Sequence, residues 1–67
     1  MTHTPVTSSN VASVGYENGK MQITFKHGGT TEYHNVPPEL HAEMMSAPSV
    51  GKFIHERIKG KFESVKL

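Results

Sequence analysis

Residues 12–25 read Ala12-Ser13-Val14-Gly15-Tyr16-Glu17-Asn18-Gly19-Lys20-Met21-Gln22-Ile23-Thr24-Phe25. The pair Asn18-Gly19 decides how this stretch folds. Both central residues of a type I′ turn require φ > 0, and Asn-Gly meets that need with little strain. A two-residue loop there sets the register on either side. Glu17 faces Lys20, Tyr16 faces Met21, Val14 faces Ile23 and Ala12 faces Phe25. Apolar residues then meet apolar residues, and one face of the hairpin is prepared for a core.

Beyond the hairpin, His27-Gly28-Gly29 separates Phe25-Lys26 from Thr30-Thr31-Glu32-Tyr33-His34, a second turn and a third antiparallel strand. Two loop lengths fit. A two-residue Gly28-Gly29 loop sets Tyr33 opposite Thr24, away from the apolar face; a three-residue loop sets it opposite Ile23, on that face. An exposed Tyr33 is a stacking surface, and a buried one is core. Val36-Pro37-Pro38 ends the strand and starts a helix, with Pro38 suited to the first helical position and Glu39 to the first turn. Leu40, Met44 and Ala47 recur at i, i+4 and i+7, and Ala47-Pro48 stops the stripe. Ser49 is the expected N-cap of a second helix, whose apolar set is Val50, Phe53, Ile54 and Ile58. Lys52 stands where a capping box carries Glu or Gln, so that cap is single. Gly60 is the expected stop. Residues 1–9 lack periodicity and read as a flexible N-terminal tail. Residues 63–67 read as a C-terminal tail, with Phe62, Val65 and Leu67 either folded back or exposed. The fold expected is α+β: a three-stranded antiparallel meander followed by two short α-helices packed on it.

Sixty-seven residues give one domain, 1–67. A chain this short buries only about 60% of its unfolded surface. It has no cysteine, which excludes disulfides and thiolate metal sites. Burial between copies is the remaining common source of stability, so a homo-oligomer is expected. No apolar run approaches the ~20 residues of a membrane span, and the N-terminus does not read as a signal peptide. The cytoplasm is the expected location, with no membrane partner. Charge is divided along the chain. Residues 1–48 carry two lysines against four glutamates, net −2; residues 49–67 carry five basic residues against two glutamates, net +3. Such asymmetry fits an anionic partner, and equally a solvated helix whose lysines complement its macrodipole.

The five histidines, His3, His27, His34, His41 and His55, form no HExxH or comparable motif. They read as scattered surface residues with no metal, or as a pH-sensitive interface. There is no aspartate, and Ser8, Ser9, Ser46 and Ser49 lack a nucleophile elbow or a recognisable base. Neither an enzyme nor a cofactor is expected. Ser49-Val50-Gly51-Lys52 opens a helix whose free amides suit phosphate, with Gly51 allowing close approach and Lys52 adding charge. The competing reading is a capped helix with Gly51 packed tightly against the sheet. Lys52, Arg57, Lys59 and Lys61 with Tyr33 make a modest recipe for single-stranded nucleic acid, Lys52 and Lys59 sharing a face. An ordinary basic surface fits those residues as well.

The ordered series Ser8-Ser9, Val14-Gly15-Tyr16, Ile23-Thr24-Phe25, Gly29, Tyr33, Val36-Pro37, Ala47-Pro48-Ser49-Val50-Gly51-Lys52-Phe53 and Ile58-Lys59-Gly60 resembles the KTSC domain over roughly residues 6–62. That family is named for its occurrence at the C-terminus of some lysyl-tRNA synthetases, and it also occurs as small stand-alone proteins of bacteria and their viruses. Its Tyr-x-Tyr motif before Val-Pro corresponds here to Thr31-Glu32-Tyr33, with threonine in the first place. The resemblance implies RNA binding by association with the synthetase, and no assigned activity. The expectation is a non-catalytic module for RNA or a nucleotide-like anion, with Ser8, Ser9, Tyr33, Ser49, Gly51, Lys52, Arg57 and Lys59 as candidate ligand-binding residues. The alternatives are a homo-oligomeric interaction protein or viral accessory protein acting on a host protein, and an oligomeric sponge for small signalling nucleotides.

Overall fold

A computed structural model describes residues 1–67. Its elements are β1 (His3–Pro5), β2 (Val11–Glu17), β3 (Lys20–Phe25), β4 (Gly29–Tyr33), α1 (Pro38–Met45), α2 (Val50–Phe53) and β5 (Ser64–Lys66). The sheet has five strands in the order β1-β2-β3-β4-β5, each pair antiparallel. The three-stranded expectation is therefore corrected to five, the two helices packing on the sheet as anticipated.

The hairpin forms as its turn dictates, with Asn18 at φ 51 and Gly19 at φ 79. Glu17–Lys20, Tyr16–Met21 and Val14–Ile23 pair as expected. Ala12 does not face Phe25. A bulge between Val11 and Ser13 skips it, and Val11 faces Phe25 instead. The extra residue turns the larger Val11 side chain into the core, where it is fully buried, and leaves Ala12 half-buried. The second turn has three residues, one of the two lengths expected, but it starts one residue earlier, so the register differs while Tyr33 keeps the core face that this length implied. Lys26-His27-Gly28 form the loop, Gly29 faces Phe25 at φ 74, and Tyr33 faces Met21 on the core side.

Both expected tails contain strands. His3 pairs with Gly15 and Pro5 with Ser13, so residues 3–5 are not a flexible tail. Gly15 permits this, because a Cβ there would lie 2.8 Å from His3 Cδ2. Pro5, which lacks an amide hydrogen, sits on an edge strand where none is needed. At the other edge Val65 faces Glu32, and the amides of His34 and Leu67 donate to the carbonyls of Glu63 and Thr30 at 2.9 Å. Residues 64–66 are exposed and tied by backbone alone, which is why their sequence carries no periodic signal.

One core cluster holds the fold: Val11, Val14, Met21, Ile23 and Tyr33 from the sheet meet Val36, Met44, Val50, Ile54 and Ile58. The Tyr16 hydroxyl donates to the Val36 carbonyl, and its ring stacks on His41 of α1 at 4.5 Å between centroids, joining hairpin to helix. Ser49 Oγ accepts from the Lys52 amide, the single cap expected. After one α turn the second helix widens into a π-helical segment, Ile54–Ile58, closed by the Lys59 amide donating to the Ile54 carbonyl at 2.7 Å. Gly60, at φ 78, ends it. No helix is long and apolar enough to cross a membrane.

A basic cleft beside the second helix

Two adjoining cavities, about 910 and 470 Å³, lie where residues 6–10 and the strand ends meet α2 and the π-helical segment. Ser8, Ser9, Ser49, Gly51 and Lys52 line the larger. Tyr33 and Lys59 line the smaller, which also reaches Gly51. Seven of the eight candidate residues thus come together, although they are spread from position 8 to position 59. Arg57 is not among them. Its guanidinium lies over the Phe53 ring, 5.2 Å from the centroid, and 3.7 Å from the Glu43 carboxylate.

The helix supplies one wall through Gly51, His55 and Lys59, spaced by four. Ile54 and Ile58, one residue before His55 and Lys59, are buried beneath them. Gly51 has a specific reason to be glycine: a Cβ there would lie 3.3 Å from Ser8 Oγ. It packs against the β1–β2 connection and not against the sheet itself, which corrects that part of the competing reading. A one-turn α-helix has little macrodipole, so the site's charge comes from side chains. Lys26 and Lys52 line the larger cavity, Lys59 and Lys66 the smaller, and no carboxylate lines either. None of these four lysines takes part in the chain's ion pairs, which join the N-terminus to Glu17 and Arg57 to Glu43.

The serine hydroxyls are prepared in one sense. A hydroxyl offers one donor and two lone pairs. Ser8 Oγ accepts from the Asn10 and Val11 amides, both at 3.3 Å, which leaves its O–H to donate. Ser49 Oγ likewise accepts from Lys52 N. Donors and ammonium groups facing a carboxylate-free cleft suit an anion. Tyr33 does not serve as a stacking platform, because it is only 6% exposed. Burial pushes its hydroxyl above the usual phenol value, so it stays neutral. Phe25 is the aromatic ring in the cleft that keeps accessible surface.

Sequence reasoning missed Asn10, Phe25, Lys26, His55 and Lys66 as lining residues. The i, i+4 spacing from Gly51 through His55 to Lys59 could have found His55. Lys26 and Lys66 arrive through strand pairing, which no local pattern announces.

The opposite face of the sheet carries a different feature. Ser13 Oγ lies 3.2 Å from His3 Nδ1, and His3 Nε2 2.9 Å from Gln22 Oε1. Gln22 Nε2 donates to Glu32 Oε2 at 2.8 Å, and His34 Nε2 reaches Glu32 Oε1 at 2.8 Å. Because a carboxylate only accepts, Gln22 and His34 must donate to it, and His3 Nε2 donates to the remaining Gln22 oxygen. The row cross-links β1 to β4 through side chains. Hydrogen bonds from Gln22 and then His34 hold the Glu32 carboxyl below its usual value. Nowhere do three or more His, Asp or Glu side chains converge as a metal site would require.

The KTSC domain family matches residues 7–62. A crystal structure of a KTSC domain protein from Yersinia pestis superposes with a TM-score of 0.96 at 41% identity, over 98% of this chain and 96% of that one. A protein of Tsukamurella paurometabola is 34% identical over 65 residues, 94% of this chain and 97% of its own. A lysine–tRNA ligase of Trichormus variabilis is 40% identical over 50 residues, 72% of this chain but 9% of the ligase. One from Nostoc punctiforme is 35% identical over 57 residues, 82% of this chain and 10% of its own. The chain thus spans about a tenth of each ligase and nearly the whole of the small proteins, and it belongs to the KTSC domain family.

Proposed function

We propose that this domain is a non-catalytic binding module whose cleft takes a phosphate-bearing ligand of the RNA or nucleotide class. The observation that carries the reading is four unpaired lysines around a cleft with no carboxylate. Serine hydroxyls left free to donate add to it, since phosphate oxygens only accept at neutral pH. The relatives named as lysine–tRNA ligases supply an RNA context, which by itself assigns no site. Binding of an oligoribonucleotide and of mononucleotides, measured across a salt series, tests this. Affinity should fall steeply with salt as counterions are released. Absence of salt-dependent binding by either probe near ~50 mM salt removes the reading.

A second reading is favoured by the β5 edge. Val65 on β5 and Leu67 just after it are 50% and 66% exposed, and this edge strand has no outer neighbour. Self-association or partner binding by strand addition would cover them. Sedimentation of the full chain and of a chain lacking residues 64–67 separates the cases: a monomer at tens of micromolar in both rules out self-association.

A further inference from the structure

The two lobes of the cleft differ in chemistry and meet along Asn10, Gly51 and His55. The larger lobe is polar, with Val6 its one hydrophobic residue and Lys26, Lys52, Ser8 and Ser49 supplying charge and donors. The smaller is lined by Lys59 and Lys66 as well, and has an apolar floor of Val11, Phe25, Tyr33 and Ile54. Three of those four are nearly covered, at 0%, 6% and 4% exposure, so Phe25 presents most of the accessible apolar surface. The Asn10 amide and Thr31 hydroxyl line the same lobe, and neither side chain has a hydrogen-bond partner within the chain.

A bare phosphate pairs with the lysines of one lobe and leaves the apolar surface of Phe25 in water. An uncharged apolar ligand would do the reverse and leave the ammonium groups unpaired. A ligand with a charged end and a flat, polar-edged apolar end satisfies both. We propose that the cleft holds one phosphorylated nucleoside unit, its phosphate against Lys26, Lys52 and the two serine hydroxyls, its base over Phe25 between Asn10 and Thr31. This rests on the reading of the cleft as an anion site. Rings of every base stack on an aromatic face, while Asn and Thr offer donors and acceptors to a base edge. Both cavity volumes are within or close to the range of about 300–1,000 Å³ usual for small-molecule sites.

Calorimetry with AMP, ribose 5-phosphate and adenosine tests the division. AMP should bind at least about tenfold more tightly than either half, because both lobes contribute. Lys52→Ala should weaken AMP and ribose 5-phosphate but not adenosine, whereas Thr31→Val should weaken AMP and spare ribose 5-phosphate. Equal affinity for AMP and ribose 5-phosphate overturns the division and leaves the anion reading standing. So does an oligoribonucleotide that binds while AMP does not. Failure of every phosphate-bearing probe removes both. Given the expected AMP result, a short oligoribonucleotide binding more tightly than AMP assigns the unit to an RNA strand, and one binding no better assigns it to a free nucleotide; each supports the two-lobed site.

Discussion

At the level of single residues, His41 and Glu32 set how stability follows pH. Burial against Tyr16 holds the His41 imidazole below its ordinary 6.5, so the fold favours the neutral ring. A depressed folded value means the unfolded chain binds the proton more readily. His41 stabilisation is therefore complete above 6.5 and lost as pH falls below it. Glu32 follows the same sign lower down, its contribution present above 4.5 and lost on further acidification. Urea denaturation from pH 8 down to about pH 2.5 should show stability declining in two ranges, and His41→Gln should flatten the upper one. A His41→Gln profile that keeps its slope between pH 6.5 and 5 would assign that titration elsewhere. Gly15 offers a second test. A Cβ there would meet the far end of the His3 side chain at 2.8 Å, so the ring moves away and the backbone stays. Gly15→Ala should cost about 1–2 kcal/mol, the order of one or two hydrogen bonds. Its specific signature should be faster amide exchange in residues 3–6.

Among the elements, the second helix depends on a short start. It has one α turn capped by Ser49 Oγ before the π-helical segment begins. Ser49→Ala should cost about 1 kcal/mol in thermal or chemical denaturation, and Ser49→Gly markedly less. The same helix shows how far local pattern reaches. Its cap, its apolar set and its Gly60 stop were all legible, because each is a near-neighbour effect. The π turn was not, since a wider turn leaves the same apolar residues buried. The first hairpin was legible from Asn18-Gly19 down to Ser13. It failed at Ala12, where the larger volume of Val11 outweighed strict alternation. Strands β1 and β5 were illegible for a related reason: three residues on an edge need only backbone pairing, and His3 reveals its strand only once Gly15 is seen to make room for it.

For the whole molecule, the candidate site is an assembly of distant positions. Ser49 and Lys52 were identified from helix-start chemistry and Ser8 from the family resemblance, while Lys26 and Lys66 required the sheet order. Because the four cleft lysines hold no ion pair, they should be dispensable for folding. Lys52→Ala and Lys59→Ala should each shift stability by less than about 0.5 kcal/mol. Each should lower the slope of log affinity against log salt for an oligoribonucleotide by about 1. A large loss of stability in either variant would mean the lysine works within the fold. The sheet order has one further consequence. The first four strands follow one another by short turns, so three of the four pairings close over short stretches of chain. The last pairing must instead wait for residues 34–63, with both helices, to be gathered in. Folding should begin around Asn18-Gly19 and run outward, with β5 docking after the rate-limiting barrier. Removing β5 should therefore leave the refolding rate almost unchanged and express its cost as faster unfolding.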